Sequence, residues 1–470
     1  MLFTSTVFLL FFLPCLFACY FIIPKKHLPL RNLVLLLFSL VFYAWGGVRH
    51  LALLAASIGL NYLGGLAVGT RSGSRRNRGA LCCTVVLNLL LLGVFKYAGF
   101  ITGTLAGLGL PVPAANIALP IGISFFTFQG MSYVIDVYRG RAAVQKNPLL
   151  VALYIALFPQ LVAGPIVRYT DIAQALTRRD SSLQEIAQGL IRFMLGFGKK
   201  MLLANAMGEV ADRAFAHVGT ALLTTPLAWV GAVAYTFQIY FDFSAYSDMA
   251  IGLGRVFGFA FGENFNYPYM ARSVTDFWRR WHISLSSWFR DYVYIPLGGN
   301  RCSRMRNVFN LAVVWLLTGL WHGASWSFLV WGAYYGLLLI EEKYVLSGVL
   351  DRCSGVLCHG FTMLVVIVGW VFFRANSLAD AVIYLSAMLG GGGSDGTEAV
   401  YCLLEYWPEF LGCVVGCFPI KQALSEWLSK RNAGARWKLV LPALLALCVF
   451  ALSYISLISG SFNPFIYFQF

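Results

Sequence analysis

Charged side chains are scarce in this chain: they make up 12% of its 470 residues, against about 25% in typical soluble domains. Acidic residues are the rarer kind, with 20 Asp and Glu against 35 Lys and Arg, so the formal net charge is +15. Hydrophobic residues reach 59%. This composition excludes an ordinary soluble globular protein and favours a polytopic membrane protein, because only a bilayer solvates so many apolar segments.

Several motifs that would indicate other chemistry are absent. The sequence contains no HExxH, no P-loop and no GxSxG, which disfavours a zinc protease site, nucleotide hydrolysis and a serine-hydrolase nucleophile. The eleven cysteines are an odd number and lie mostly in apolar runs, without paired CxxC motifs or histidines at zinc-ligand spacing. We therefore predict neither a metal site nor a disulfide framework.

The basic residues separate apolar segments, as is typical of a multi-pass membrane protein. The first apolar stretch, residues 2–23, is followed by Lys25, Lys26 and Arg31, which favours a retained span with an outer N-terminus over a cleaved signal peptide. Nucleic-acid binding is disfavoured because the basic clusters flank spans and lack interleaved aromatic residues. Further apolar segments lie near 32–47, 51–70, 80–103, 116–135, 148–166, 226–253, 308–321, 324–341, 361–374, 402–419 and 438–459.

These segments predict an all-α polytopic protein with about eleven to twelve spanning or re-entrant helices, in contact with membrane lipid. Residues 182–217 carry charged side chains among apolar ones, so an amphipathic or partly buried helix is expected there. No repeat or domain linker is evident. We predict one integral-membrane domain over residues 1–470.

Residues 276–306 do not fit a lipid-facing span. They hold six arginines, two aspartates and His282, and burying such groups in lipid costs a few kcal/mol each. Asp276 and Arg280 have the i, i+4 spacing of a helical ion pair, and Arg290 neighbours Asp291. Two interpretations stay open for this segment: a basic amphipathic helix at the cytoplasmic face, or the lining of a polar cavity.

Two aspartates, Asp242 and Asp248, lie within an otherwise apolar span. Intramembrane carboxylates are functional candidates by default, because lipid offers them no partner. A proton relay, a cation site and structural pairing with Arg279 or Arg280 are all open interpretations.

His322 lies deep in an apolar run, VVWLLTGLWHGASWSFLVWG. A lone histidine in a helix is more often a hydrogen-bonded packing residue than a catalyst. However, Gly323 beside it would leave room for a ligand, and a neutral imidazole with a pKa of about 6.5 is suited to take a hydroxyl proton. His282, forty residues earlier, could face the same cavity.

Seven sequence blocks, spread nearly end to end, carry a resemblance to a known family. They are LPIGISFFTFQGMSYVIDVYRG (119–140), FPQLVAGPIVRY (158–169), YFDFSAYSDMAIGLG (240–254), ENFNYPY (263–269), DFWRRWHISLSSWFRDYVYIPLGGNR (276–301), GLWHGASW (319–326) and NPFIYFQF (463–470). In these blocks the chain resembles the bacterial membrane-bound O-acyltransferases (MBOAT) of the alginate O-acetyltransferase type. The resemblance implies a ring of helices around a central transmembrane tunnel. It also implies that His322 is the catalytic histidine and that His282 is a second polar active-site residue.

The reaction implied by the resemblance is transfer of an acetyl group across the bacterial inner membrane. The donor would be cytoplasmic acetyl-CoA, with no permanently bound cofactor. The acceptor would be an extracytoplasmic polysaccharide, alginate or a similar exopolysaccharide, reached through a secreted SGNH-type partner that carries a serine nucleophile.

From charge alone, Arg279, Arg280 and Arg301 are candidates to bind the phosphates of coenzyme A, because arginine forms bidentate contacts with phosphate. Asp242, Asp248 and Asp276 are candidate polar residues of the tunnel. Three alternatives remain at this point: peptidoglycan O-acetylation by the same chemistry, a transporter or flippase for a polysaccharide intermediate, and a noncatalytic scaffold.

Overall fold

The computed structural model describes residues 1–69, 75–350, 352–420, 437–460 and 465–466. The chain divides into two compact units. Unit 1 comprises Met1–Phe193 and Tyr246–Gly262, and unit 2 comprises Met194–Ala245 and Glu263–Phe470. Throughout the described residues the regular elements are helices. The prediction of an all-α fold is therefore confirmed for that part of the chain.

Unit 1 begins with a short π-helical turn, Phe8–Phe12, and continues through helices of unequal length. Its helices are α1 (Leu13–Phe21), α2 (Leu28–Ala44), α3 (Arg49–Gly69), α4 (Arg75–Gly107), α5 (Ile123–Tyr138), α6 (Pro148–Ala156), α7 (Phe158–Leu161) and α8 (Tyr169–Thr177). Helix α9 (Leu183–Gly198) follows and continues into unit 2.

Polar side chains hold α3 and α4 of unit 1 together inside an apolar surrounding. Asn61 Nδ2 donates to Asn88 Oδ1 at 3.1 Å, and Asn88 Nδ2 donates back to Asn61 Oδ1 at 3.0 Å. Both residues are fully buried. Interhelical amide pairs of this kind contribute about 0.6 kcal/mol on average in membrane proteins, so this pair mainly fixes the register of the two helices.

Unit 2 contains the remaining helices. In its described residues, π-helical turns adjoin these helices at Lys199–Ala204, Arg290–Tyr294, Glu342–Leu346 and Ala387–Gly391. Its helices are α10 (Asn205–Ala216), α11 (Thr225–Val256, shared with unit 1), α12 (Val274–Arg280), α13 (Ile283–Phe289), α14 (Arg304–His322), α15 (Trp326–Glu341), α16 (Ser347–Leu350), α17 (Gly355–Arg374), α18 (Leu378–Ser386), α19 (Thr397–Glu405), α20 (Trp407–Gly416) and α21 (Trp437–Ser459).

Four helices in the described ranges are long and apolar enough to cross a membrane: Arg49–Gly69, Arg78–Gly107, Gly355–Arg374 and Val440–Ser459. Most other predicted segments are helical but shorter. Residues 148–166 form two helices because the chain is extended at Leu157 before Pro159. Residues 402–419 also break, at Tyr406 before Pro408. Proline fits the first turn of a new helix, which explains both breaks.

Helices α14 and α15 of unit 2 approach closely through glycines. A Cβ on Gly319 would lie 2.3 Å from the carbonyl oxygen of Phe328, and one on Gly332 would lie 2.5 Å from the carbonyl oxygen of Trp315. Small residues at such crossings allow the two backbones to approach closely. The glycines therefore set the position of His322, at the end of α14, against the first turns of α15.

Substitution of Gly319 by alanine is expected to destabilise the protein by roughly 1–3 kcal/mol, because the added methyl group forces two helix backbones apart. Gly360→Ala on α17 is the matched control, since a Cβ there meets no atom within 4 Å. Thermal unfolding of the detergent-purified variants measures both. If Gly319→Ala and Gly360→Ala unfolded at the same temperature, the close approach of α14 and α15 at Gly319 would be contradicted.

Candidate functional site

His322 is enclosed by aromatic rings. It is the last residue of α14, and it is 5% exposed. Its imidazole packs edge-on against Trp331 at 5.0 Å, Trp321 at 5.1 Å and Phe373 at 5.2 Å between ring centroids. These rings come from α14, α15 and α17, so three helices of unit 2 hold the imidazole among aromatic side chains.

Gly323 does not leave room for a ligand beside His322, and that expectation is wrong. A Cβ at Gly323 would lie 2.1 Å from carbon atoms of the Phe328 ring. Phe328 in turn packs against Phe373 at 5.0 Å. The space beside Gly323 is filled by the Phe328 ring, so the glycine serves helix packing and does not open a ligand site.

His282 lies at the junction of α12 and α13 in an unusual backbone conformation. Its φ of 44° and ψ of 54° are left-handed, and Tyr267 is the only other non-glycine residue with positive φ among the described residues. Such a conformation costs of order 1–3 kcal/mol and persists where the surroundings determine it. Residues held in this way cluster at functional sites, which singles out His282 independently of its chemistry.

Asn264 fixes the orientation and the tautomer of His282. Its Oδ1 accepts hydrogen bonds from the Ser284 backbone N–H at 3.2 Å and from Ser284 Oγ at 2.9 Å. A backbone N–H can only donate, so the atom facing it is the amide oxygen and not the amide nitrogen. His282 Nδ1, 3.1 Å from the same oxygen, must therefore carry a proton, which leaves Nε2 as the acceptor of the neutral ring.

The sequence did not indicate Asn264. The residue is fully buried, and its backbone oxygen also accepts from the Ile283 N–H at 2.9 Å. The one available signal was a polar residue in the ENFNYPY block, upstream of the arginine-rich segment. Because an asparagine carries no charge, nothing in the spacing distinguished it from an ordinary turn residue.

The two histidines contact the same indole ring. Trp321 lies 5.9 Å from His282 and 5.1 Å from His322 between ring centroids. Phe243 packs edge-on against His282 at 4.7 Å. A cavity shared by the two histidines stays a prediction, but both imidazoles contact this one indole ring. Aromatic walls that exclude water strengthen hydrogen bonds and direct proton transfer at such a site.

The arginine-rich segment is largely paired or exposed. Arg280 Nε binds Asp276 Oδ1 at 2.8 Å and Arg290 Nε binds Asp291 Oδ1 at 2.7 Å, so both predicted ion pairs are confirmed. Arg279 and Arg301 are exposed. Contact of Arg279, Arg280 or Arg301 with a phosphate stays a prediction.

Pairing of Asp242 or Asp248 with Arg279 or Arg280 is wrong. Asp242 Oδ1 lies 2.6 Å from Lys200 Nζ in unit 2, and both side chains are 2% exposed. In unit 1, Asp248 Oδ1 lies 2.7 Å from Arg192 Nη2. Arg280 already pairs with Asp276, one helical turn away on the same helix. Asp242 and Asp248 instead pair with Lys200 and Arg192, which lie in the 182–217 segment.

The Lys200–Asp242 pair also binds the described part of the C-terminal segment. The Ile466 N–H donates to Asp242 Oδ2 at 2.8 Å, and Lys200 Nζ lies 4.9 Å from the centroid of the Phe465 ring. Both Phe465 and Ile466 are buried. A buried ion pair is stable only when further hydrogen bonds satisfy its members, and this backbone N–H supplies one of them.

Substitution of Lys200 by methionine is expected to destabilise the protein by about 3–5 kcal/mol, because it leaves the buried Asp242 carboxylate without its cation. The double variant Lys200→Met/Asp242→Asn should recover most of that loss, since a neutral amide oxygen still accepts from the Ile466 N–H. Thermal unfolding in detergent measures the series. The pairing of Lys200 with Asp242 would be contradicted if the double variant lost as much stability as Lys200→Met alone, or as much as the two single variants together.

The chain is similar to proteins of one membrane enzyme family. The MBOAT family model, for the membrane-bound O-acyltransferase family, matches residues 124–380, which include Asn264, His282 and His322. "Probable alginate O-acetylase AlgI" of Azotobacter vinelandii is 42% identical over the whole of both chains. The protein of the same name from Pseudomonas aeruginosa is 45% identical over 83% of this chain and 75% of its own length.

A peptidoglycan O-acetyltransferase of Helicobacter pylori is 35% identical, covering 84% of this chain and 80% of its own length. The family match spans more than half of the chain and includes the whole histidine site. Relatives of this similarity extend over both units. The chain therefore belongs to the membrane-bound O-acyltransferase family and is a multi-pass membrane O-acyltransferase.

Proposed function

We propose that this protein takes an acetyl group from cytoplasmic acetyl-CoA and passes it to the outer side of the membrane for O-acetylation of an exopolysaccharide. Alginate or a similar polymer is the proposed acceptor, reached through an exported partner with a serine nucleophile. The observation that carries the proposal is the pair of buried histidines, His282 and His322, in contact with one indole ring. Two basic side chains in one water-poor region fit proton transfer during acyl exchange.

The proposed polymer follows from the relatives. The two proteins compared at 42% and 45% identity are both named as probable alginate O-acetylases. Peptidoglycan O-acetylation is the second candidate, and it is favoured by the relative of that name at 35% identity. The higher identity and the full-length coverage make an exopolysaccharide the first choice.

The proposed step converts a thioester into an oxygen ester. His322 takes the proton of the acceptor hydroxyl while the hydroxyl oxygen forms a bond to the acetyl carbonyl carbon. The carbon–sulfur bond then breaks, and its electron pair leaves with the sulfur of coenzyme A. The imidazolium returns the proton to that sulfur, so free coenzyme A leaves and His322 is neutral again.

His282 assists in this proposal by accepting a hydrogen bond at Nε2. Asn264 holds the proton on Nδ1, so the acceptor nitrogen of the neutral ring is always Nε2. That nitrogen can orient the acceptor hydroxyl toward His322. Proton transfer efficiency depends on such fixed geometry, because a hydrogen bond weakens steeply when its angle deviates.

The arginines and the wider fold complete the proposal. Arg279 and Arg301 are exposed, and Arg280 shares its charge with Asp276, so these side chains can meet the phosphates of coenzyme A at the cytoplasmic face. The finer arrangement that we propose is eleven to twelve helices around a tunnel, in the bacterial inner membrane. Asp242, Asp248 and Asp276 serve in it as charge partners that keep the surrounding cations in place.

The proposal is tested in a strain that lacks the gene. Plasmid-borne wild-type protein is expected to restore acetyl esters on the secreted polymer, measured by mass analysis of the purified polymer and, in parallel, of peptidoglycan. Acetyl esters restored on peptidoglycan alone would replace the first candidate by the second. A strain whose polymer and peptidoglycan acetylation are both unchanged would overturn the proposal.

A further inference from the structure

A groove opens between three helices of unit 1. It is a cavity of about 240 Å³ between the first half of α2, the start of α6 and the end of α8. Two of its leucines, Leu33 and Leu149, are 38% and 54% exposed, so the groove is open at the protein surface. Leucine side chains form most of its wall, namely Leu28, Leu33, Leu36, Leu149, Leu150 and Leu176.

The polar side chains in the wall of the groove already bond within the chain. Asn32 Nδ2 donates to the Leu176 carbonyl oxygen at 2.8 Å, and Asn32 Oδ1 accepts from Arg179 Nη1 at 2.6 Å. The Asn147 side chain caps α6 by accepting a backbone N–H at 2.9 Å. The Thr177 hydroxyl donates to a carbonyl oxygen one turn earlier at 3.1 Å. The wall therefore suits an apolar occupant.

The rim of the groove is basic. The segments 23–32, 139–147 and 178–180 contain eight lysines and arginines against one acidic residue. Asn32 of the first segment and Asn147 of the second both line the groove. Asp180, the one acid of the three segments, lies 2.5 Å from Lys25 Nζ. A single carboxylate is therefore shared among many cations at this end of unit 1.

Three cations of the rim are open to an external anion. Lys26, Lys146 and Arg178 are exposed, and each lies one or two residues along the chain from a residue that lines the groove. Within the described ranges, no carboxylate pairs with any of the three. Positive charge and an apolar wall thus occur side by side.

The groove lies at a membrane interface. Helix α3 is long and apolar enough to cross a membrane, and its C-terminal half reaches the rim: the Tyr62 hydroxyl donates to the Lys146 carbonyl oxygen at 3.0 Å. A Cβ on Gly69, the last residue of α3, would meet the Val144 side chain. Such an excess of lysine and arginine at the ends of spans is typical of the cytoplasmic side. The rim is therefore at the level of the inner-leaflet headgroups.

We propose that this groove binds one anionic phospholipid of the surrounding membrane. One acyl chain lies along the leucine wall, and the headgroup phosphate meets Lys26, Lys146 and Arg178. A lipid is the fitting occupant because the chain is a multi-pass membrane protein, so acyl chains already surround the exposed leucines. The cations select an anionic headgroup, as basic pockets between membrane helices do on the cytoplasmic side. The site is independent of the proposed acetyl transfer.

The headgroup contact is tested with the variant Lys26→Gln/Lys146→Gln/Arg178→Gln. Full-length protein is delipidated in detergent and titrated with phosphatidylglycerol, and native mass spectrometry gives the dissociation constant of the first lipid bound. A cation near the membrane surface contributes roughly a factor of five in affinity. The triple variant is therefore expected to bind phosphatidylglycerol about 100-fold more weakly than the wild type.

The variant Arg255→Gln/Arg304→Gln/Arg352→Gln is the matched control for charge. It removes three exposed cations that lie outside the rim, so the net charge changes equally. Wild-type affinity for phosphatidylglycerol is expected. An equal loss in both triple variants would overturn the site, because net charge alone would then attract the lipid.

The apolar wall is tested without any change of charge. Leu33→Trp fills the groove and is expected to weaken binding of phosphatidylglycerol at least tenfold. Leu37→Trp is its control, because Leu37 lies one turn further along α2, is 52% exposed and is not part of the wall. Thermal unfolding verifies that each variant is folded. Equal affinities of these two variants would overturn the groove as the site of the acyl chain.

Two further arms use the wild-type protein. Phosphatidylcholine, whose headgroup carries no net charge, is expected to bind at least tenfold more weakly than phosphatidylglycerol, and equal binding would overturn the proposal. Coenzyme A is expected not to displace phosphatidylglycerol. Displacement would also overturn the proposal and would assign the three cations to the phosphates of the acyl donor.

Discussion

Substitution of His322 by alanine is expected to lower acetyl transfer by about 10²- to 10⁴-fold, which is the contribution of a positioned general acid or base. Trp321, Trp331 and Phe373 pack against the imidazole and carry no group that titrates near neutral pH, so none of these three rings can replace its proton chemistry. Release of coenzyme A from acetyl-CoA, with purified protein and acceptor, measures the rate. The loss should appear in kcat, because the base acts while bonds are changing.

Two further variants separate chemistry from packing in this experiment. His322→Gln keeps most of the side-chain volume and should lose activity as His322→Ala does, but with a smaller loss of thermal stability. His27→Ala is the matched control, because His27 is an exposed histidine before α2 that makes no capping bond through its side chain. Wild-type turnover by a folded His322→Ala protein would exclude the histidine as the base.

Hydrophobic periodicity and length were sufficient to predict most of the helices. The predicted segments 51–70 and 226–253 correspond closely to Arg49–Gly69 and Thr225–Val256. These predictions succeed because apolar run length is a local property of the sequence. The Asp276–Arg280 ion pair was equally predictable, since its i, i+4 spacing depends on one helix alone.

Contacts between distant segments could not be predicted in this way. The partners of Asp242 and Asp248 are 42 and 56 residues away along the chain, and no spacing rule relates them. Gly323 was also misread, because a glycine that admits a ligand and one that admits Phe328 look the same in a sequence. The division into two units likewise depends on tertiary contacts.

The histidine site contains residues that the sequence could identify and one that it could not. His322 could be singled out because an imidazole deep in an apolar run is rare, and His282 because it lies among arginines. Asn264, which determines the hydrogen bonding of His282, could not be singled out from the sequence, because it is an uncharged residue 18 positions upstream. Its role follows from the left-handed backbone of His282 and from Ser284, which donates through its backbone and its hydroxyl.

Substitution of Asn264 by leucine is expected to lower acetyl transfer by about 10²-fold, because His282 loses the acceptor that keeps its proton on Nδ1. The buried Ser284 N–H also loses its partner, so a stability loss of about 1–3 kcal/mol should accompany the change. Activity and thermal unfolding are measured on the same preparations. A folded Asn264→Leu protein with wild-type turnover would show that Asn264 has no positioning role.

Asn264→Asp distinguishes positioning of His282 from simple packing. A carboxylate accepts the same three hydrogen bonds, so this variant should retain far more activity than Asn264→Leu. Its negative charge favours the protonated imidazole and raises the pKa of His282. If transfer requires neutral His282, the acid limb of the pH–rate profile must move to higher pH in Asn264→Asp. An acid limb that stays in place would show that the protonation state of His282 does not enter the reaction, because the new charge lies beside that imidazole in any case.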